Sequence, residues 1–439
     1  MKKFIQTIKN IYKIEELRKR IAYTFLLILV YRLGSFIVLP GIDPSVIAEF
    51  SASMSNRTDA LSLLNMFSGG AFGNVSIFAL GVMPYISASI VVQLLGVFVG
   101  KFRKMQAEES GRRKLNQITR LLTIVILCIQ GPAYISNIMH QYPNAFLVSS
   151  KLYILAATVI LLGGSMFVMW LGERITERGI GNGISLIIMI GIIARLPQAF
   201  MAEVLSKAGS TTGGILLLIV EFVILFFVFV AAIALVQAVR KVPVQYANRV
   251  IGNKQYGGVR QYIPLKVNAS GVMPIIFAQA IMLFPIIFSR FDATRGFAAA
   301  MSNYTGFWYN LVFGFLVIVF TYFYTAVTFQ PNMMAEDMKK NGGFIPGVKP
   351  GKKTMEYLDT IMTRIVLPGS IFLAIIAVLP AIATLCGVNN QFASFYGGTS
   401  LLILVGVVLD TLQQVESHLL MRHYDGLMKT GRLTGRSGM

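Results

Sequence analysis

No charged residue occurs within residues 75–100, 121–139, 152–172 or 267–289 of this chain. Runs of that length approach or exceed the ~20 apolar residues that a helix needs to cross the hydrocarbon core of a bilayer. Lipid offers no partner to a backbone N–H or C=O, so each run must close its own hydrogen bonds, as a helix does. The composition agrees, being 55% hydrophobic and only 13% charged, with mean hydropathy +0.68. A soluble domain carries roughly 25% charged residues, so a soluble enzyme is excluded. Ten spans are expected, at about 21–39, 75–97, 118–139, 153–172, 181–198, 213–239, 270–289, 307–329, 365–385 and 397–416. The fold class is all-α and polytopic.

The formal net charge of +20 is distributed by side of the membrane. Segments 1–20 and 100–120 hold seven Lys/Arg each, 172–180 two, 240–266 and 330–364 six each, and 417–439 four. These alternate regions together hold 32 of the 39 basic residues. Cytoplasmic loops carry such an excess, and an even number of spans then places both termini in the cytoplasm. The charge is thus chiefly topological. The first apolar segment lacks a small-x-small cleavage site and contains Arg32, so it reads as a retained helix.

Two phrases recur in order. Gly81-Val82-Met83-Pro84 is matched by Gly271-Val272-Met273-Pro274, and Gly183-Ile184-Ser185-Leu186 by Gly398-Thr399-Ser400-Leu401. Paired, Gly/Pro-interrupted apolar segments predict two related halves with the working site where they meet. The halves are expected at 1–205 and 206–439, the second carrying cytoplasmic loops 240–266 and 330–364.

Familiar reaction chemistry is missing. His140, His418 and His423 form no metal cluster, and Cys128 and Cys386 read as small packing residues. The run from Gly347 to Thr354 puts three residues between its glycines and a second lysine after Lys352, so it is not a phosphate loop. No cofactor or metal is called for, and the chain is not expected to be an enzyme. Glu221, Asp410 and Arg32 are the acids and base within spans, read as charges that pair to fix helix packing.

Residues 61–74 are apolar, too short to cross and closed by Gly69, Gly70 and Gly73. They read either as a mobile half-helix lining a cavity or as an interfacial helix. In the second span, Pro84 is expected to remove a helical bond and bend the axis. Ser87, Ser89 and Gln93 need polar partners there, with Gln130 and Asn268 as candidates.

Several stretches resemble the bacterial SecY family, whose wider kin is the Sec61 alpha family. They are Asn65 to Ala71 (NMFSGGA), Ser76 to Gly81 (SIFALG), Met83 to Ile90 (MPYISASI), Gly111 to Lys114 (GRRK), Gly172 to Ser185 (GERITERGIGNGIS), Pro264 to Asn268 (PLKVN) and Tyr396 to Ile403 (YGGTSLLI). The resemblance runs from about Arg20 to Tyr424. It implies ten helices in two pseudo-symmetric, inverted five-helix halves, forming the passive pore of a protein-conducting channel in the bacterial inner membrane. It further implies an apolar ring of Val82, Ile86, Ile184, Ile188, Ile276 and Ile403. The i,i+4 spacing of 82/86 and 184/188 keeps each pair on one helix face. Taken on spacing alone, such residues meet lipid or packing partners. Val82 stands where the family usually has isoleucine.

The resemblance also implies a plug over 61–73, including Leu61, Leu64, Asn65, Met66, Phe67, Ser68, Gly69 and Gly70. It implies a lateral gate with Gln93, Gln130 and Asn268, and docking of the SecA motor and the ribosome at Arg240, Lys241, Lys349 and Tyr424. Lys349 replaces the arginine usual in bacterial relatives, keeping the charge but not the planar fork. Implied partners are the SecE and SecG subunits, signal sequences, unfolded polypeptides and lipid. The competing readings are an inverted-repeat secondary solute transporter and a scaffold or insertase.

Overall fold

The computed structural model describes residues 14–47, 65–147, 151–208, 214–246, 249–251, 254–256, 260–282 and 305–429. In chain order its first helices are α1 (Glu15–Gly34), α2 (Met83–Phe98), α3 (Gly100–Ala107), α4 (Glu109–Gln141), α5 (Lys151–Arg178), α6 (Gly183–Ala208) and α7 (Gly214–Gln237). Strands β1 (Val239–Tyr246), β2 (Arg249–Ile251), β3 (Lys254–Tyr256) and β4 (Arg260–Lys266) follow. Next come α8 (Met273–Met282), α9 (Phe307–Thr328), α10 (Pro331–Lys340), β5 (Gly343–Phe344), α11 (Lys352–Leu385), α12 (Asn390–Ala393) and α13 (Gly398–Lys429). Each of the ten expected spans falls at least in part on a helix, and among the described residues seven helical stretches are long and apolar enough to cross a membrane. Along α7, Ile215, Leu216, Phe226 and Phe227 all face outward. Apolar side chains left uncovered along a helix of this length have lipid as their solvent.

The repeated phrases fold alike. Gly81 and Gly271 have φ of +52° and +63°, and the Met-Pro that follows each opens a helix. A left-handed glycine turns the chain there at no steric cost. The second pair, at Gly183 and Gly398, begins α6 and α13. Two expectations change. Pro84 does not break a helix, because α2 starts at Met83 rather than near residue 75 and the proline occupies its first turn. No intrahelical bond is lost at that position. The spans behind the second pair of phrases, expected at 181–198 and 397–416, also lie on longer helices, α6 of 26 residues and α13 of 32.

Packing divides the chain into two compact units, one of Met1–Arg57, Leu61–Pro197 and Val407–Met439, the other of Thr58–Ala60 and Gln198–Gly406. In the first, α4 packs along α2 and α5, and α1 lies on α5. In the second, α9 packs between α8 and α11. Cys128 and Cys386, expected to pack inside, are both exposed.

Glu221 is paired, as the sequence anticipates, but in a larger buried cluster within the second unit. Lys207 Nζ lies 2.9 Å from Glu221 Oε1 and 3.7 Å from Glu203 Oε1. The same ammonium donates to the Gly387 carbonyl at 3.0 Å, and Glu203 Oε2 accepts the Asn389 N–H at 2.8 Å. Tyr396 donates to the Glu221 carbonyl at 2.8 Å. One cation thus ties α6 to α7 and to the loop before α12. Removing one partner of a buried pair leaves an uncompensated charge, at a cost of about 3–5 kcal/mol. Lys207→Met is therefore expected to destabilise the second unit by that order, measured as a lower unfolding midpoint in detergent.

The connection after α7 is a hairpin. β1 pairs antiparallel with β4 from Val239↔Lys266 to Gln245↔Arg260, and with β5 at Gln245↔Phe344 and Tyr246↔Gly343. Pro243 sits where β1 has a neighbour on one side alone, so its missing N–H breaks no ladder. Val242, Val244 and Leu265 bury one face of the sheet against Met338, Ile345, Leu358 and Met362.

Candidate functional site

Leu61 and Leu64 lie outside the described residues. Among the described residues, Asn65 to Phe67 are helical and the chain then forms a tight, self-bonded loop, with turns to residue 82. The Asn65 carbonyl accepts the Gly70 N–H at 2.8 Å, and its side-chain Oδ1 accepts the Gly73 N–H at 2.8 Å. Ser68 Oγ accepts the Phe72 N–H at 3.0 Å and donates to the Asn65 carbonyl at 3.1 Å. Gly69 and Gly70, with φ of +64° and +94°, stop the helix. Asn65 and Ser68 are 2% and 4% exposed, and Met66, Gly69 and Gly70 are also buried, with Phe67 half-buried.

The loop is held by its surroundings in the first unit. Tyr31 donates to the Ser68 carbonyl at 3.2 Å, Arg32 to Gly69 at 3.0 Å and Tyr134 to Phe72 at 2.6 Å. Behind it, Leu39 N–H donates to the Val75 carbonyl at 3.0 Å and Ile77 N–H to Ile37 at 2.9 Å. Val75 has φ +45°, a strained value for a β-branched residue, at the exit from the loop. Gly191 of α6 admits the loop closely, since a Cβ there would lie 2.8 Å from the Phe67 carbonyl oxygen.

The six apolar candidates sit near helix starts or in first turns. Ile86 N–H bonds the Val82 carbonyl at 3.1 Å, so these two share the opening turn of α2. Ile184 and Ile188 occupy the first turns of α6, Ile276 the first turn of α8 and Ile403 the second turn of α13. Val82, Ile188 and Ile403 are buried, whereas Ile86, Ile184 and Ile276 are half-buried. Helical geometry brings together each i,i+4 pair.

Among the polar candidates, Gln93 donates to Ser89 Oγ of its own helix at 3.3 Å, and Asn268 accepts from Ser270 Oγ at 3.2 Å in the turn before α8. Gln130 is exposed on α4. Arg240 and Lys241 are exposed on β1, and Lys349 is exposed in the turn before α11, where its carbonyl accepts from Thr354 Oγ1 at 3.0 Å. Because β5 joins β1, the loops carrying Arg240, Lys241 and Lys349 form one module. Tyr424 lies on α13. Sequence reasoning missed this sheet, although Val242 and Val244 alternate with outward residues as a half-buried strand does. It also missed Tyr31 and Tyr134, which look like ordinary apolar helix residues until their hydroxyls meet the loop.

These features define a polytopic helical membrane protein whose second helix is preceded by a buried, glycine-turned loop. The chain belongs to the SecY family, whose model matches residues 76–412. It is 39% identical to the Protein translocase subunit SecY of Chlamydia trachomatis, covering 98% of this chain and 99% of the relative. It is 41% identical to that of Halalkalibacterium halodurans, covering 97% and 100%. Its fold resembles a SecY structure whose plug domain stabilises the closed state of the translocation channel and maintains a membrane seal, with TM-score 0.58, 17% identity and coverage of 91% and 92%. It also resembles Sec61 in the canine ribosome–channel complex from the endoplasmic reticulum, with TM-score 0.54, 16% identity and coverage of 91% and 92%.

The Gly191 contact yields a test. A methyl there meets the Phe67 carbonyl oxygen at 2.8 Å and the Gly69 nitrogen at 3.1 Å, backbone atoms that cannot rotate away. Gly191→Ala is expected to destabilise by about 1–3 kcal/mol, the usual range for overpacking. Gly163→Ala, where no atom lies within 4 Å of the added carbon, is the matched control and should cause no loss. Both are read as unfolding midpoints in detergent.

Proposed function

We propose that this chain is the central pore-forming subunit of a Sec translocon, a passive channel that moves unfolded polypeptides across the bacterial inner membrane. Hydrophobic segments leave it sideways into lipid. The observation that carries this reading is the repeated glycine turn. In both copies it opens a helix whose first turn carries aliphatic residues and no acidic or basic side chain, at Val82 and Ile86 and again at Val272 and Ile276. Val82, Ile86, Ile184, Ile188, Ile276 and Ile403 form the constriction. An aliphatic throat holds no side chain of a passing substrate more than another, and a narrow apolar pore resists wetting. A secondary transporter instead needs coordinating polar groups at its repeat interface, and the candidate residues offer none.

In the same reading, residues 61–73 are the plug, and Gln93, Gln130 and Asn268 border the lateral gate. The halves divide near residue 205. SecE and SecG are the membrane partners. SecA and the ribosome dock on the basic cytoplasmic module with Arg240, Lys241 and Lys349 and on the tail around Tyr424, and both termini are cytoplasmic. The exposure of Arg240, Lys241 and Lys349 on one folded module supports this assignment.

Single cysteines at the six ring positions are expected to crosslink to an arrested secretory chain. Crosslinks confined to exposed positions such as Leu121 and Ile129 of α4, with none at the six, would sink the constriction. Lys349→Glu should lower motor-driven translocation several-fold in reconstituted vesicles without loss of insertion, while Lys349→Arg is tolerated because charge is kept. Full activity of the Glu variant would remove Lys349 from the docking surface.

A further inference from the structure

We propose that Tyr31, Arg32 and Tyr134 are positioning residues that latch the plug by gripping its main chain. The proposal rests on reading the loop from Asn65 to Gly73 as the plug, and adds what holds it. Three donors from two helices meet three carbonyls of one short loop. Tyr31 and Arg32 of α1 take Ser68 and Gly69, and Tyr134 of α4 takes Phe72. The two tyrosines are 1% and 6% exposed, so their hydroxyls have no ready alternative in bulk water.

The donors are themselves fixed. Tyr31 stacks on Phe78 with centroids 6.2 Å apart, Tyr134 packs on Phe72 at 4.6 Å, and the Arg32 guanidinium lies over the Phe36 ring at 5.0 Å. Every hydrogen bond goes to backbone, and only the Tyr134–Phe72 ring contact depends on a side chain that the plug carries. The glycines make this possible. Side chains at Gly69 and Gly70 would meet Arg32 Nη1 at 2.9 Å and Arg195 Nη2 at 2.8 Å, blocking the guanidinium groups from the loop.

The latch links plug motion to wetting. Withdrawal of the loop orphans three donors and three acceptors, and a buried polar group without a partner is strongly disfavoured. Release becomes favourable only when water enters to replace the lost partners. A closed plug is therefore held most firmly when the funnel is dry, and hydration by an entering chain loosens it.

The test uses the full chain in its native membrane complex, reconstituted in vesicles, with Cys128 and Cys386 replaced by Ser. Ala71, fully buried in the seated loop, becomes the reporter as Ala71→Cys, and its maleimide labelling rate reads how often the loop leaves. Tyr31→Phe and Tyr134→Phe keep both rings and lose only the hydroxyls, and Arg32→Met keeps the stem. Each is expected to speed labelling roughly twofold to tenfold, the ratio that one net hydrogen bond supplies, with larger effects in combination. Tyr153→Phe, which loses a comparable bond to the Pro40 carbonyl away from the loop, should not.

Ion leak is measured on the same vesicles, beside a deletion of residues 65–73. Labelling at the wild-type rate in the triple variant, with leak in the deletion, overturns the latch and leaves the plug reading standing. Equal acceleration by Tyr153→Phe also overturns it. Faster labelling confined to the three latch variants, with no leak in them or in the deletion, upholds the grip and sinks the plug reading.

Discussion

Hydrocarbon gives a broken helix no partner for its backbone, and the departures from helix within the described spans answer to that constraint. The loop from Asn65 to Gly73 is the clearest case. Its amides and carbonyls turn inward on Asn65 and Ser68 or outward to Tyr31, Arg32 and Tyr134. Many of its polar groups are met by protein, so it can lie buried without being part of a regular helix. The loop is thus held partly by its own side chains and partly by donors on other elements.

Charge is handled by the same rule. Arg32, inside the first apolar segment, donates to the Gly69 carbonyl rather than to an acid, so a cation within a span serves as a backbone cap. Lys207 spends its charge on Glu221 and its hydrogen bond on the Gly387 carbonyl. These groups have structural partners, which fits a channel driven from outside better than an ion-coupled machine whose acids must exchange their ligands. The remaining basic residues are sorted by side, and Arg240, Lys241 and Lys349 stand exposed on a folded module.

The spans, their order and the repeated phrases were legible because a bilayer demands long uncharged runs, and such runs are visible residue by residue. The glycine turns were legible as interruptions, but not their form. Pro84 read as a kink because it follows apolar residues that continue the pattern, whereas the left-handed turn at Gly81 moves the helix start to Met83 and makes the proline harmless. The loop from Asn65 could be bounded by its glycines, yet its shape depends on side chains distant in sequence. Tyr31 and Tyr134 have no local pattern that points to residues 68 and 72. The β1–β4 hairpin was hidden by an expectation of plain loops between spans, and Pro243 and Pro264 within it argue against strands when read alone.

The helix start after Gly81 joins fold to function. Helices ordinarily begin with Ser, Thr, Asp or Asn, whose oxygens take up the free amides of the first turn. At α2 the capping position is Val82, without a side-chain hydrogen bond, and Pro84 removes one amide from the set that needs a partner. The chain thereby starts a helix with Val82 and Ile86 on one face of its opening turn and one amide fewer to satisfy. A polar cap at that point would set a fixed hydrogen-bonding group in the place of Val82 and beside Ile86, which the proposed constriction excludes. Gly271 to Pro274 repeats the solution at α8. One unusual way of starting a helix thus recurs once in each packing unit, as the duplicated phrases in the sequence anticipate.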